Sequence, residues 1–276
     1  MGQDDLRPAT RGGTTAGYRY DLTAPTRRKR TIRHAQPRPS RTPSACRAHD
    51  GRGKTDLTVP PLPAEAFRRY DESPDALFYV QPRFVTHLDE AAITAVTQLY
   101  RELLPPGGAI LDLMSSWVSH LPPEIAYRRA VGLGLNQQEL AANPRLDAAI
   151  VQDLNTDPRL PFGSGEFDGA TICVSIQYLI QPVAVLREVG RVLRRGAPLV
   201  VTFSNRCFPT KAIAIWQALD DLGHAQLVAQ YLREAGNWTD IQALDRSPRL
   251  PGADPLFAVV ARAHPAEPPA RGASTP

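Results

Sequence analysis

From residue 109 onward the chain alternates short apolar runs with amphipathic helical stretches, and this alternation admits one broad architecture. "AILDL" (109–113), "AVGLGL" (130–135), "AAIVQDL" (148–154), "FDGATICVSIQYL" (167–179) and "PLVVTFS" (198–204) are apolar almost throughout, as strands covered on both faces are. Helices are expected between them. "PPEIAYRRA" (122–130) has prolines suited to a first turn, and "NQQELAAN" (136–143) opens on Asn136. "QPVAVLREVGRVLRRG" (181–196) carries Val183, Leu186, Val189, Val192 and Leu193 as one stripe, with arginines and Gly196 to close it. Two more helices are expected at 210–222 and 225–236, and two strands at 238–245 and 254–262. No helix separates that last pair, so its connection is antiparallel. Upstream, "THLDEAAITAVTQLYREL" (86–103) places Ile93, Val96, Leu99, Tyr100 and Leu103 on one face, with Thr86 and Asp89 as its cap signal. The pattern predicts an α/β fold: a seven-stranded, mostly parallel sheet with helices on both faces and an antiparallel last strand.

Charge divides the chain differently. Residues 1–60 hold 13 Lys and Arg against 5 Asp and Glu, whereas the rest holds 19 against 23. The net charge of +4 therefore describes neither part. Residues 1–62 are rich in Arg, Pro, Gly, Ser and Thr and poor in large aliphatics. They read as a disordered basic leader that cannot bury enough apolar surface to offset its conformational entropy. The run "TRRKR" (26–30) is either a nucleic-acid or nuclear-import patch or part of a solvated tail. Residues 63–107 read as a helical, lid-like segment, 108–264 as the main domain and 265–276 as a flexible tail. Cys46, Cys173 and Cys207 have neither disulfide-framework nor metal-ligand spacing, so no metal is expected and a reducing, cytoplasmic setting fits. The first residues lack the apolar stretch of a secretory signal, and no run is long enough for a membrane span.

In an open parallel sheet, ligands bind beyond the carboxyl ends of the strands. Here those ends carry small and polar residues: Asp112, Met114, Ser115 and Ser116; Leu135 and Asn136; Asp153, Leu154 and Asn155; Ser175, Gln177 and Tyr178; Asn205 and Arg206. The segments "ILDLMSS", "VQDLNTDPRLPFGSGEFD" (151–168) and "VLREVGRVLRRGAPLVVTFSN" (185–205) resemble the class I S-adenosylmethionine-dependent methyltransferases, the type 11 branch in particular. The middle segment is the most specific of the three, and the resemblance covers a little over half the chain, from about Gly108 to Arg262.

That resemblance implies a Rossmann-like fold and S-adenosyl-L-methionine as cofactor. Its methionine part would pass the loop 112–116. Its ribose would meet Gly134, Leu135 and Asn136, and its adenine Asp153, Leu154 and Asn155. Its sulfonium would face Val174 and Ser175. Two departures stand out. The family's first loop reads Asp-x-Gly-x-Gly, and Met114 and Ser116 occupy the glycine positions. The family's ribose-binding acid falls at Gly134. The loop is expected to be a variant cofactor loop in which Ser115 and Ser116 supply hydroxyls where glycines supply space.

"GLGLNQ" (132–137) begins like a dinucleotide fingerprint, but its third glycine is Gln137 and its glycines fall inside the strand, so NAD is not expected. Trp117 and His120 follow the first loop and either line an acceptor pocket or pack as ordinary fold residues. Gln177, Tyr178, Asn205 and Arg206 present the same two choices, as do the lid candidates Phe78, Tyr79, Arg83 and Phe84. No catalytic residue can be named, which accords with methyl transfer because the reaction requires positioning and desolvation more than acid–base groups. The expected function is methyl transfer to a small molecule. The alternatives are a non-catalytic protein that keeps the fold, or a nucleic-acid-modifying enzyme that uses the basic leader. The sequence leaves the oligomeric state open.

Overall fold

The computed structural model describes the backbone of residues 18–20 and all of residues 62–264. The strands are β1 (Tyr18–Tyr20), β2 (Ala109–Leu113), β3 (Arg129–Gly134), β4 (Ala148–Val151), β5 (Gly169–Cys173), β6 (Pro198–Phe203), β7 (Trp238–Asp245) and β8 (Phe257–Ala263). They form one sheet in the order β1-β7-β8-β6-β5-β2-β3-β4. The run from β4 to β6 is parallel, and β8 inserts antiparallel between β6 and β7. These seven strands match the expected sheet. The eighth corrects the expectation of a leader without structure, because Tyr18–Tyr20 pairs antiparallel with β7. The remaining residues of the leader, "TRRKR" included, and the tail beyond 264 lie outside the described residues.

Helices α1 (Asp75–Phe78), α2 (Glu90–Leu103), α3 (Gln137–Ala142), α4 (Pro182–Val192), α5 (Ala214–Ala218) and α6 (Asp221–Ala235) complete the chain. One face of the sheet packs Leu111, Leu113, Val131, Leu133 and Ile172 against α4 and α6. The other packs Ile110, Ala130 and Val200 against α2, whose Val96, Leu99 and Tyr100 are fully buried. Each such aliphatic contributes about 1.5–3 kcal/mol relative to exposure. The turn after α3 lies close on β3 because Gly132 has no side chain; a Cβ there would meet Leu146 at 2.3 Å and Leu140 of α3 at 3.3 Å.

Several local expectations change. Residues 122–128 form turns and irregular chain, not the expected helix over 122–130, because their carbonyls have partners elsewhere, and Arg129 and Ala130 already belong to β3. Arg145 donates to Pro122 and Ile125, and the Gly107 amide donates to Ala126. The cap of α2 is Asp89, which accepts from the Ala92 amide, and Thr86 lies outside the helix. The third strand ends at Val151 and is an exposed edge. The fourth ends at Cys173 and passes into a 3-10 turn, Ile176–Tyr178. Helix α4 stops at Val192; Gly196, at φ 79°, serves the turn before β6.

The 62–88 segment is fastened to the domain by buried ions. Asp75, 4% exposed, accepts two bonds of 2.8 Å from Arg69 and lies 3.2 Å from Lys211, whose side chain is fully buried. Lys211 also donates to the Ser73 carbonyl and sits 3.2 Å from Asp71. Asn155 donates to the same Asp75 carboxylate. Removing one member of such a cluster strands the others in a dry environment. Asp75→Ala is therefore expected to lower unfolding free energy by about 3–5 kcal/mol, read as a reduced urea midpoint at unchanged slope.

Candidate functional site

The strand order reverses at β2, which has β3 on one side and β5 on the other. A cavity of about 570 Å³ opens at the carboxyl ends of these strands. All twelve residues named for the cofactor from the resemblance line it: Asp112, Met114, Ser115, Ser116, Gly134, Leu135, Asn136, Asp153, Leu154, Asn155, Val174 and Ser175. Of the acceptor-facing candidates, Trp117, His120, Tyr178, Arg206 and Tyr79 line it as well.

The loop after β2 is shaped by Asp112. This carboxylate is buried and accepts from Ser115 Oγ at 2.6 Å and from Thr171 Oγ1 at 2.8 Å. Burial raises its pKa, and the hydroxyl bonds oppose the rise. Met114 takes φ 52°, the left-handed conformation for which a glycine is the ordinary residue. The Ser115 amide then donates to the Leu133 carbonyl, and the Ser115 carbonyl lies against Gly134, where a Cβ would stand 2.2 Å from it. The loop thus keeps a glycine-type path without glycines.

The serines do not offer free hydroxyl donors, contrary to the expectation. Ser115 donates to Asp112 and Ser116 donates to Glu139 at 2.7 Å. Asn136 is also committed. Its oxygen accepts from the Gln138 and Glu139 amides as the cap of α3, and its nitrogen donates to the Tyr79 and Val80 carbonyls. It holds the 62–88 segment through Tyr79 and Val80 and has no free donor for a ribose. Asn155 bridges Asp75 and the Tyr178 carbonyl and accepts from the Ile180 amide. Across the cavity, Asp153 accepts from the Asn155 amide and from Thr156 Oγ1.

Backbone strain gathers here. Among the described residues, four non-glycines have positive φ, and three of them, Met114, His120 and Val174, line the cavity. Val174 at φ 46° is the costliest, being β-branched. Its amide donates to Thr202 and its carbonyl accepts from Gln177 Nε2. Gln177 is fully buried beneath the site and does not line it, so its place is structural. Asn205 is exposed beside the cavity, not on its wall. Phe84 is also exposed and packs edge-on against Trp117, whose Nε1 donates to Val85.

The cavity wall also carries an aromatic group that sequence reasoning names only in part. Phe78, Tyr79, Tyr178 and His87 all meet Phe208, with ring centroids 5.2–6.3 Å apart. The Arg83 guanidinium sits 4.6 Å from the Phe78 ring centre and donates to the Phe78 carbonyl, while its Nη1 is buried without a protein partner. Arg206, by contrast, pairs with Asp254. Glu139, Phe208 and His87 were missed. No motif marks them: His87 lies in the 62–88 segment, Glu139 on α3 and Phe208 after β6, and tertiary packing brings the three to one wall. Cys173 is a free thiol that lines the cavity and packs against the core, and burial pushes its pKa up to about 11. No group of side chains among the described residues could hold a metal.

Desolvation lowers the pKa of both cavity histidines, His120 to about 4, so their rings are neutral at pH 7.

This is a Rossmann-like α/β protein with a nucleotide-sized cavity at its switch point. The methyltransferase domain family matches residues 117–201. Demethylmenaquinone methyltransferases of Mycobacterium sp. (strain KMS) and Mycolicibacterium vanbaalenii are each 32% identical over 148 residues, 52% of this chain and 60% of theirs. The chain thus spans less than two thirds of the length of these relatives. Solved methyltransferase structures from Mesorhizobium loti and Aquifex aeolicus align with TM-scores of 0.44 and 0.45, at 17% and 13% identity. They cover 61% and 62% of this chain and 97% and 90% of their own. Over these spans the chain is similar to S-adenosylmethionine-dependent methyltransferases.

Two outcomes follow from the site. Gly134→Ala is expected to cost about 1–3 kcal/mol by pushing on the Ser115 carbonyl, seen as a lower melting temperature. For His120, the folded pKa lies below the unfolded 6.5, so the unfolded chain binds the proton first and stability falls as pH drops from 6.5 toward about 4. His120→Asn, which tolerates the positive φ, should flatten that decline in pH-dependent denaturation.

Proposed function

We propose that the protein transfers a methyl group from S-adenosylmethionine to a small molecule. The observation that carries the reading is the shared cavity, which places the strained loop 112–116, the strand end at Val174 and the Asp153 carboxylate around one space. Its volume falls in the range of about 300–1,000 Å³ typical of small-molecule sites. Its wall suits a cation. Asp75, Asp89, Asp112, Glu139, Asp153 and Asp254 outnumber Arg83 and Arg206. Leu135 and Leu154 give apolar surface for a purine, and Asp153 offers an acceptor beside it.

The cofactor would supply an electrophilic methyl on its sulfonium. The protein's part is to bind, orient and exclude water. Val174 and the loop 112–116 fix the approach, and the aromatic group around Phe208 keeps the opening dry. Neutral His87 or His120 is available to take a proton where the acceptor must lose one. The acceptor chamber favours a flat molecule, ring against ring, carrying an oxygen that the unpartnered Arg83 Nη1 can reach. The mycobacterial relatives are named for demethylmenaquinone.

One observation favours a second reading, a binding protein without transfer. Met114 occupies the cavity wall where the family's loop is open, and both loop serines are tied to carboxylates. Calorimetry with S-adenosylhomocysteine separates the two. Micromolar binding that weakens about tenfold or more in Asp153→Ala supports the transferase. Absence of heat at millimolar ligand removes it.

A further inference from the structure

Along the edge formed by the loop after β2 and the start of α3, nearly every polar side chain is already committed. Ser115 and Ser116 donate to carboxylates, Asn136 uses both ends of its amide, and Asp112 lies below the loop. Position 134 can contribute no side chain, because the Ser115 carbonyl occupies the place of its Cβ. Glu139 is different. It is 7% exposed and lines the cavity. Its Oε2 accepts from Ser116 Oγ at 2.7 Å and its Oε1 from the Arg83 amide at 2.6 Å. Each contact uses one lone pair per oxygen. A carboxylate has about four such sites, so two acceptor positions remain on an anion already held in place from both sides.

Two unused acceptor positions on one fixed carboxylate match two adjacent hydroxyl donors. We infer that Glu139 is the residue that reads the vicinal diol of the adenosyl group. This rests on the reading that the cavity takes an adenosyl cofactor. The carboxylate comes from the first turn of α3, five residues past the strand end. The same side chain holds the lid through the Arg83 amide, so diol recognition and lid position meet on one group.

The test is calorimetry on the full chain with S-adenosylhomocysteine, adenosine and 2′,3′-dideoxyadenosine. The unsubstituted protein is expected to prefer adenosine over the dideoxy compound by about ten- to a hundredfold, the effect of bonds to a charged acceptor. Glu139→Ala should bring the two nucleosides to within about twofold. Glu139→Gln, which keeps shape but loses charge, should fall between, since charge-assisted bonds are roughly twice as strong as neutral ones. Should the alanine variant unfold, the glutamine variant carries the test.

Three results overturn the inference. The first is no preference in the unsubstituted protein. The second is a preference that survives Glu139→Ala while both nucleosides weaken equally, the mark of a purely structural role. The third is a change only in the ratio of S-adenosylhomocysteine to adenosine, which would put Glu139 at the amino-acid end. In each of these the protein still binds adenosyl compounds and the proposed function stands. If none of the three ligands binds, the proposed function fails and the inference with it.

Discussion

The geometry of the site hangs on the Asp112 carboxylate buried at the end of β2. It draws the Ser115 hydroxyl inward and ties Thr171 on the neighbouring strand to the same point. A loop with glycines could follow this path without help. This one must be pulled into it, with Met114 left-handed and the Ser115 carbonyl pressed onto Gly134. Both features depend on an acceptor beneath the loop, and the desolvation of that acceptor is offset by the hydroxyls it organises.

A second group of polar contacts extends from this edge to the segment before the domain. Asn136 holds the carbonyls of Tyr79 and Val80, Glu139 holds the Arg83 amide, and Asn155 holds Asp75. Below them the Arg69–Asp75–Lys211 cluster anchors the segment. Residues of this edge of the cavity therefore also determine where the aromatic group around Phe208 lies. Occupancy of one half of the cavity and the shape of the other are linked through shared side chains.

Much of the sheet was legible because period and burial agree. The apolar runs at 109, 130 and 198 have a single reading, and the stripe of α4 is unambiguous. Legibility failed where the chain's hydrogen bonds go to distant partners. Residues 122–130 read as a helix until Arg145 is seen to bind their carbonyls. Cys173–Ser175 reads as continuing strand, yet the chain turns at Val174 because Thr202 and Gln177 hold it there. Tyr18–Tyr20 sits in a composition that gives no strand signal, and it pairs because β7 offers an edge. At the site, positions just past the strands could be read from the rule of sheet ends. What their side chains bond to could not. Asn136 was expected to be open to a ligand and is closed, while Glu139, one helical turn on, carries no signature in a single sequence.

The exposed apolar side chains of the described residues fall unevenly. Tyr70, Leu77, Val80, Phe84 and Val85 lie in the 62–88 segment, whose Asp75, Tyr79, Arg83 and Val85 line the cavity, while Val151 and Leu250 lie elsewhere. Such a segment is an add-on held by a few polar bolts, not a layer of the core. Its residues can drift without disturbing the sheet, provided the anchoring positions persist. The scaffold can thus be inherited unchanged while this wall of the cavity is recut, one residue of the segment at a time.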